Sequence, residues 1–290
     1  MAQDHKETQS RTFIKFPTGI PLLNDTLGGG LPVGLTLIHG PDSCGKTCLS
    51  LSVLDELRGA TGAFVDVENK GDPKFIGEVV RDEIAFVQPY SGEAAIEAAY
   101  SLLAMGAKVV CVDTIDALLP LAEVNLDVGT REPYAQKRLV YHGASVLRDK
   151  AIKLGACVIL VSQNRVNPNM RSPKPKSPFL NLIRGLTSCV LRLKRAETMA
   201  EFGKVKFTKV SIHVERLLGH PPLGKSTAYL WSERGFDRNY ELFRKLEDAE
   251  VIVRRGSYWK AEGVTLGPGR ETATEQIFAN YEHFRSMVDG

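Results

Sequence analysis

The chain has 290 residues, of which 43% are hydrophobic and 24% are charged. This composition is typical of a folded globular protein and excludes a chain that is intrinsically disordered over most of its length. Residues 1–11 are polar, and no apolar run reaches the length of a membrane-spanning helix. We therefore expect no signal peptide, no membrane partner and a cytoplasmic location.

Positive charge is concentrated in one part of the chain. The formal net charge is only +3, yet residues 150–195 contain ten Lys and Arg and no Asp or Glu, so +3 minus 10 leaves −7 for the remainder. Such a concentration of one sign favours a polyanionic partner. A basic face that is simply solvated is the alternative.

Five short apolar runs predict buried strands. They are continuous rather than alternating, as expected when both faces of a parallel sheet are covered. The strand runs are residues 35–39, 63–67, 109–112, 158–161 and 190–193, and segments with helical spacing are residues 46–57, 92–105 and 135–154. This alternation predicts an α/β fold with a doubly wound, mostly parallel sheet.

Two polar segments interrupt the alternation and predict long loops. Residues 125–133 separate a strand from a helix, and residues 164–178 contain four prolines. Long loops in compact domains are usually functional or disordered. After about residue 235, short polar and apolar segments predict a small α+β domain. The expected parts are a short N-terminal arm at 1–17, a core at 18–234 and a C-terminal domain at 235–290.

A glycine-rich segment between the first long predicted strand and its helix has the pattern G-x-x-x-x-G-K-[ST]. Its glycines let backbone N–H groups surround phosphates, and the helix N-terminus favours negative charge. Lys46 would reach the β- and γ-phosphates of a nucleotide, and the Thr47 hydroxyl would bind Mg²⁺. A chance glycine-rich turn is the alternative. The segment consists of Gly40, Pro41, Asp42, Ser43, Cys44, Gly45, Lys46 and Thr47.

Carboxylates at strand ends would complete a hydrolytic site. Asp113 ends the run at 109–112 and is the candidate for a second Mg²⁺ anchor, with a capping role as the alternative. Glu68 follows the run at 63–67 and is the candidate for orienting water. Asp66, two residues earlier on the same strand face, is the rival, and either carboxylate could be purely structural.

These motifs resemble the RecA family of DNA strand-exchange recombinases. GPDSCGKT is similar to that family's GPESSGKT, with Cys44 in place of a serine. The resemblance covers about residues 18–278 and implies a P-loop RecA-type core with a small α+β C-terminal domain. Other similar segments are AFVDVENKGDP (63–73), VVCVDTIDAL (109–118), SQNR (162–165), RGSYW (255–259) and LGPG (266–269).

The resemblance implies ATP and Mg²⁺ as cofactors and gives roles to individual residues. Glu68 is then the water-activating glutamate, and Gln163 is the sensor of the γ-phosphate. Gln163 ends a strand and begins the second loop, so one amide could couple nucleotide state to that loop. A strand-end glutamine bound to the backbone is the alternative. Asp72 and Phe75 fall where the family contacts adenine, and Cys48 joins the ATP-binding set.

The two loops, at about 124–134 and 164–182, correspond to the family's DNA-binding segments. Contacts with DNA phosphates need Lys or Arg near the strand and accept any sequence. Solvation of each charge is again the alternative. The candidate DNA-binding residues are Arg131, Lys137, Arg138, Asn164, Arg165, Arg171, Lys174 and Lys176.

Three features depart from the family pattern. The arm at 1–17 is short for packing on a neighbouring subunit. The lysine pair that senses a neighbour's γ-phosphate is replaced by Val-Glu-Arg-Leu at 214–217, so Arg216 is the candidate trans-acting cation, with a plain surface arginine as the alternative. Backbone N–H groups predict a lowered pKa for the Cys44 thiol, and we expect alkylation of this thiol to block ATP binding unless ATP is already present.

The expected function is that of an ATP-dependent recombinase. It would self-associate into a helical filament on single-stranded DNA, pair it with homologous duplex DNA, and hydrolyse ATP in response to DNA. The alternatives are a ring-forming helicase of the same superfamily and a non-catalytic recombination mediator.

Overall fold

A computed structural model describes residues 14–124, 134–165, 177–201, 204–220, 224–231, 235–261 and 263–288. The predicted DNA-binding residues Arg131, Arg171, Lys174 and Lys176 lie outside the described residues. The strands are β1 (Lys15–Phe16), β2 (Leu31–Pro32), β3 (Gly34–Gly40), β4 (Gly62–Asp66), β5 (Ala85–Val87), β6 (Val109–Asp113), β7 (Cys157–Gln163), β8 (Cys189–Glu201), β9 (Lys204–Leu217), β10 (Lys225–Trp231), β11 (Gly235–Phe236), β12 (Ile252–Arg255), β13 (Tyr258–Ala261) and β14 (Val264–Pro268). The helices are α1 (Pro21–Leu27), α2 (Lys46–Asp55), α3 (Pro73–Val79), α4 (Gly92–Ala104), α5 (Leu121–Val124), α6 (Ala135–Leu154), α7 (Leu180–Ile183), α8 (Arg238–Asp248), α9 (Gly269–Ala279) and α10 (Tyr281–Ser286), with 3₁₀ turns at Ile115–Ala117 and Arg184–Leu186.

Nine strands form one large sheet in the order β11-β10-β9-β8-β3-β7-β6-β4-β5. The six strands from β8 to β5 in this order are parallel. Strands β9, β10 and β11 continue the sheet with antiparallel pairing. The predicted α/β fold with a doubly wound, mostly parallel sheet is confirmed. The long antiparallel extension is a feature that the five predicted strands do not include.

Side chains of the central strands alternate between two cores. Leu35 and Leu37 of β3 pack on the face covered by α4 and α6, with Leu147 among their neighbours. Ile38 points to the opposite face and packs in the core that holds Leu49 of α2. Because both faces are covered, every residue of β3 is buried, and apolar residues do not alternate with exposed polar ones.

Local sequence signals explain where several helices begin and end. α6 spans the predicted residues 135–154, and it ends because Gly155 takes a left-handed conformation (φ 62°) and donates its N–H to the carbonyl of Ala151. α3 begins at Pro73, after Asp72, whose carboxylate accepts a hydrogen bond from the N–H of Lys74. Both ends follow the usual asymmetry of helix caps, with Asp and Pro at the start and Gly at the end.

The C-terminal part is an antiparallel sheet, β12-β13-β14, packed with α8 and α9. Its core includes Phe243, Trp259 and Ile277. β11 pairs with β10 in the large sheet, although the predicted C-terminal domain begins at 235, and the division into domains stays a prediction. Within the described ranges, no helix is both long and apolar enough to span a membrane.

Candidate nucleotide-binding site

The phosphate-loop segment connects β3 to α2 and depends on two glycines. At Gly40 a Cβ atom would lie 2.6 Å from the carbonyl oxygen of Leu193 and 2.7 Å from the sulfur of Cys44. Gly45 has φ +90°, a conformation that side chains rarely adopt. Any larger residue at either position would therefore displace the backbone of the loop.

Lys46 begins α2 and turns back across the loop. Its side chain is buried, and its Nζ donates a 2.7 Å hydrogen bond to the carbonyl of Pro41. The loop borders a cavity of about 290 Å³ at the carboxyl ends of the parallel strands, the position at which open α/β sheets bind ligands. The predicted residues that line this cavity are Asp42, Ser43, Lys46, Thr47, Asp66, Glu68, Asp72, Phe75, Asp113 and Gln163.

Thr47 and Asp113 form the candidate magnesium site. The Thr47 hydroxyl donates a 2.5 Å hydrogen bond to Asp113 Oδ2. Burial raises the pKa of Asp113 from 3.8 to about 6, and the hydrogen bond from Thr47 opposes this increase. A hydroxyl and a carboxylate are hard oxygen ligands, and Mg²⁺ usually takes one or two protein ligands together with phosphates and water. These residues therefore fit a phosphate-bound Mg²⁺ ion.

Glu68 lies just beyond the end of β4, and three donors contact its carboxylate. Oε1 accepts hydrogen bonds from Gln163 Nε2 at 3.1 Å and from the Thr114 hydroxyl at 3.2 Å. Oε2 pairs with Lys70 Nζ at 2.8 Å, and this hydrogen bond raises the pKa of the exposed Lys70. Thr114 and Lys70 were missed by the sequence reasoning, although Thr114 directly follows the candidate metal ligand in the chain.

Asp66, the rival of Glu68, is engaged elsewhere. It is buried at the end of β4, and its Oδ2 accepts hydrogen bonds from the N–H of Gly71 at 2.8 Å and from Gln88 Nε2 at 3.0 Å. These bonds hold the turn that follows β4. Glu68, not Asp66, is the carboxylate hydrogen-bonded to Gln163, so the geometry favours Glu68 as the residue that orients water.

Two predicted adenine contacts lie at the same cavity. Asp72 caps α3 through the N–H of Lys74 at 2.9 Å, and Phe75 lies one turn into that helix, half-buried. Cys48 lines a different cavity, together with Arg195 and Trp231. The roles of Asp72, Phe75 and Cys48 in binding ATP stay predictions.

The prediction of a lowered pKa for the Cys44 thiol is wrong. The side chain is fully buried beneath Gly40. Burial raises the pKa of Cys44 and outweighs the opposing effects of the Lys46 charge and of hydrogen bonds from the loop backbone. The sequence pattern placed the sulfur in the loop but could not show that the side chain is buried beneath Gly40.

The described DNA-binding candidates lie at the edges of the two predicted loops. Lys137 and Arg138 are exposed in the first turn of α6, and Lys137 Nζ lies 5.3 Å from the centre of the Tyr134 ring. Arg165 is exposed after β7, while the N–H of Asn164 donates to the carbonyl of Gly40 at 2.9 Å. The first residue after Gln163 is thus attached to the phosphate loop.

Arg216, the candidate trans-acting cation, is half-buried near the end of β9. Its Nε donates a 3.0 Å hydrogen bond to the carbonyl of Thr187. This bond accounts for part of its donor capacity, and its contact with a neighbouring subunit stays a prediction.

Comparisons with known proteins agree with this geometry. A family model of the RecA N-terminal domain matches residues 3–236. Protein RecA of Lactobacillus acidophilus is 29% identical over 269 residues, covering 90% of this chain and 74% of the relative. Protein RecA of Thermotoga neapolitana is 30% identical over 287 residues, covering 94% and 82%. The crystal structure of the RadB recombinase shares the fold with a TM-score of 0.58 at 21% identity, covering 76% of this chain and 98% of that one. With a matching phosphate loop, strand-end carboxylates and sheet, the chain belongs to the RecA family.

Proposed function

We propose that this chain is a DNA-dependent ATPase that forms helical filaments on single-stranded DNA and promotes homologous pairing and strand exchange with duplex DNA. Its family membership supports a role in recombination. The observation that carries the proposal is the hydrogen bond between Gln163 Nε2 and Glu68 Oε1. It joins the hydrolytic carboxylate to the residue from which the second candidate DNA segment begins.

Each of the cavity residues would have a separate role in ATP hydrolysis. Bound Mg²⁺·ATP would supply the reactive phosphoryl group and a cation that neutralises its charge. Lys46 and the loop amides would stabilise negative charge on the phosphates, while Thr47 and Asp113 would hold the cation. Glu68 accepts a proton from the water whose oxygen bonds to the γ-phosphorus, and ADP leaves with the bridging oxygen.

Gln163 supplies the connection between hydrolysis and DNA. Its side-chain amide donates to Glu68, and a γ-phosphate oxygen would compete for the same donor. Movement of Gln163 would shift Asn164 and Arg165, which follow it directly. A bound γ-phosphate would thereby change the positions of the charged residues that follow Gln163. A change at one side-chain amide would in this way alter DNA binding by the segment.

Positive charge near both candidate segments supports DNA as the partner. Lys137, Arg138 and Arg165 are exposed where these segments meet the folded core. Such residues bind the phosphate backbone of any sequence in a salt-dependent way. For assembly, repeated head-to-tail contact at a non-closing angle gives a helix, and Arg216 is our candidate for reaching a neighbour's nucleotide.

The test measures ATP turnover with and without single-stranded DNA, and DNA affinity with and without Mg²⁺ and a non-hydrolysable ATP analogue. We expect stimulated turnover, tighter DNA binding with the analogue, and extended filaments in negative-stain electron microscopy. Closed rings would favour a motor, and turnover indifferent to DNA would favour a mediator. DNA affinity that is the same with and without the analogue would refute the proposed coupling.

A matched pair of variants tests the role of Gln163. Gln163→Ala removes the amide that contacts Glu68, and we expect DNA affinity to become independent of the ATP analogue. Gln88→Ala removes a similar amide–carboxylate bond, 3.0 Å to Asp66, and Gln88 itself is not among the described residues that line the cavity. This control should retain nucleotide-dependent DNA binding. Equal behaviour of the two variants would show that Gln163 has no special role.

A further inference from the structure

A buried histidine lies directly beside the phosphate loop. His39 is the residue before Gly40 at the carboxyl end of β3, and it is 2% exposed. In the sheet it stands opposite Ser162 of β7 and Arg192 of β8. No role in the proposed reaction has been given to it. Its position puts a polar ring between the strand that ends in Gln163 and the strands that lead to Arg216.

Both ring nitrogens of His39 have partners from other elements. Nδ1 lies 3.0 Å from Oδ1 of Asn164, and Nε2 lies 3.1 Å from Oε2 of Glu215. A ring protonated on both nitrogens satisfies both contacts. A neutral ring satisfies them if the Asn164 amide turns its NH₂ group to Nδ1. In either form, the ring links residues that are 125 and 176 positions away in the chain.

Asn164 is held to the β3 end by two bonds. Its N–H donates to the carbonyl of Gly40 at 2.9 Å, and its side chain contacts His39. Because Asn164 follows Gln163, these bonds hold the first residue of the second candidate DNA segment, next to the proposed phosphate sensor. A shift of Gln163 is therefore passed to a residue whose position depends on His39.

Glu215 connects His39 to Arg184, which follows the second candidate DNA segment in the chain. Its carboxylate lies 2.5 Å from Arg192 Nε and 4.0 Å from an Arg184 nitrogen, and its carbonyl accepts a 3.2 Å hydrogen bond from Arg184. Hydrogen bonding from His39 and the neighbouring positive charges lower the pKa of Glu215. Arg184 follows the candidate DNA segment in the chain, whereas Asn164 precedes most of it. Glu215 also directly precedes Arg216.

We propose that His39 is a positioning residue that couples the phosphate loop to the second candidate DNA segment and to the strand that carries Arg216. Its ring keeps Asn164 and Glu215 at a fixed separation, so that Asn164 and, through Glu215, Arg184 respond together when Gln163 moves. This inference rests on the proposed function, because it deepens the account of how nucleotide binding regulates DNA binding.

Variants of His39 can separate the two contacts. The amide nitrogen of His39→Asn can occupy the place of Nδ1 and keep the bond to Asn164. That of His39→Gln can occupy the place of Nε2 and keep the bond to Glu215. His39→Phe keeps much of the ring volume and loses both. Thr36→Val is the matched control, because Thr36 is a fully buried polar residue of the same strand whose hydroxyl contacts only the Cys157 sulfur, at 3.8 Å, among its described hydrogen bonds.

The measured quantity is the ratio of the Kd for single-stranded DNA without nucleotide to the Kd with a non-hydrolysable ATP analogue and Mg²⁺. The analogue's own Kd is measured beside it with a fluorescent derivative. We expect His39→Phe and His39→Gln to reduce the DNA ratio at least tenfold, with nucleotide affinity within about threefold of the unmodified protein. Thr36→Val should keep both quantities, and His39→Asn, which loses the contact to Glu215, should also reduce the DNA ratio.

Two results would overturn the inference. One is a DNA ratio in His39→Phe and His39→Gln that stays within twofold of the unmodified protein. The other is loss of nucleotide affinity in every His39 variant, which would show that the ring only supports the phosphate loop. If His39→Phe fails to fold, the Asn and Gln variants decide the question. If the unmodified protein itself shows no nucleotide-dependent DNA binding, both the proposed function and this inference fail. If the unmodified protein shows it and the His39 variants do so equally, only this inference fails.

Discussion

The buried carboxylate of Asp113 should make the protein less stable at neutral pH when no metal or nucleotide is bound. Its pKa is raised from 3.8 to about 6, mainly by burial. Asp113→Asn has nearly the same shape, carries no charge, and can still accept the hydrogen bond from Thr47. We therefore expect this variant to be more stable than the unmodified protein at pH 7 to 8, although it removes the candidate metal ligand.

The magnitude follows from the pKa. Between pH 4 and 6 the folded protein holds more protons on Asp113 than the unfolded chain, so the free energy of unfolding falls as pH rises through this window. Each pKa unit corresponds to about 1.4 kcal/mol, so the loss above pH 6 is about 3 kcal/mol. Asp113→Asn lacks this loss. Its advantage should grow from near zero at pH 4 to about 3 kcal/mol at pH 7, or roughly 5–10 °C in Tm.

The assay is thermal and urea unfolding of both proteins from pH 4.5 to 8 in EDTA without nucleotide. Asp66→Asn is the control, because Asp66 accepts two hydrogen bonds that become weaker when its charge is removed. It should destabilise rather than stabilise. A variant at Asp113 that is less stable than the unmodified protein at pH 7, or an advantage that does not change with pH, would refute the reasoning.

Three further predictions concern the same cavity. Glu68→Gln should keep nucleotide binding and ATP-dependent DNA binding, with steady-state turnover lower by a factor of about 10² to 10⁴; loss of ATP-dependent DNA binding would contradict its assignment. Lys70→Ala should raise the ATPase rate measured without DNA, because the 2.8 Å contact that occupies Glu68 Oε2 is removed; a tenfold fall would instead mean that Lys70 acts on the phosphates. Cys44 should react with iodoacetamide at pH 8 slowly, and at the same low rate with and without nucleotide, as followed by mass spectrometry; rapid labelling that ATP prevents would show that the thiol faces the nucleotide.

Five of the six parallel strands could be predicted from the sequence, whereas the short strand β5 and the antiparallel extension could not. Strands such as β6 are apolar up to their last residue because helices cover both faces, and that pattern is visible in a single sequence. β9 instead mixes buried residues, such as Val210 and Ile212, with polar ones, and its pairing with β8 is interrupted by register shifts. A bulge breaks the period of two that would otherwise indicate a strand.

In the candidate site, too, some residues could be predicted from the sequence and some contacts could not. Asp113 was predicted from its place at the end of a buried strand, and Gln163 was predicted from the resemblance of SQNR (162–165) to the RecA family. The contact of Lys70 with Glu68 depends on the turn after β4, and Asn69 in that turn has a positive φ of 53°. The direction of a side chain in such a turn depends on the backbone angles of the turn. The sequence motifs do not specify these angles. Likewise, nothing in the sequence links His39 to Glu215, since only the fold brings them together.

The burial of the Cys44 sulfur affects how the protein responds to oxidants, which also damage DNA. Oxidants convert thiolates to sulfenic acid, and they act on thiols that are accessible and readily ionised. Cys44 is fully buried, and burial raises the pKa of the neighbouring Cys48 to about 11. We therefore expect both cysteines, which lie in or next to the phosphate loop, to react slowly with peroxide. ATP turnover should survive an oxidative burst that inactivates enzymes with exposed, acidic thiols.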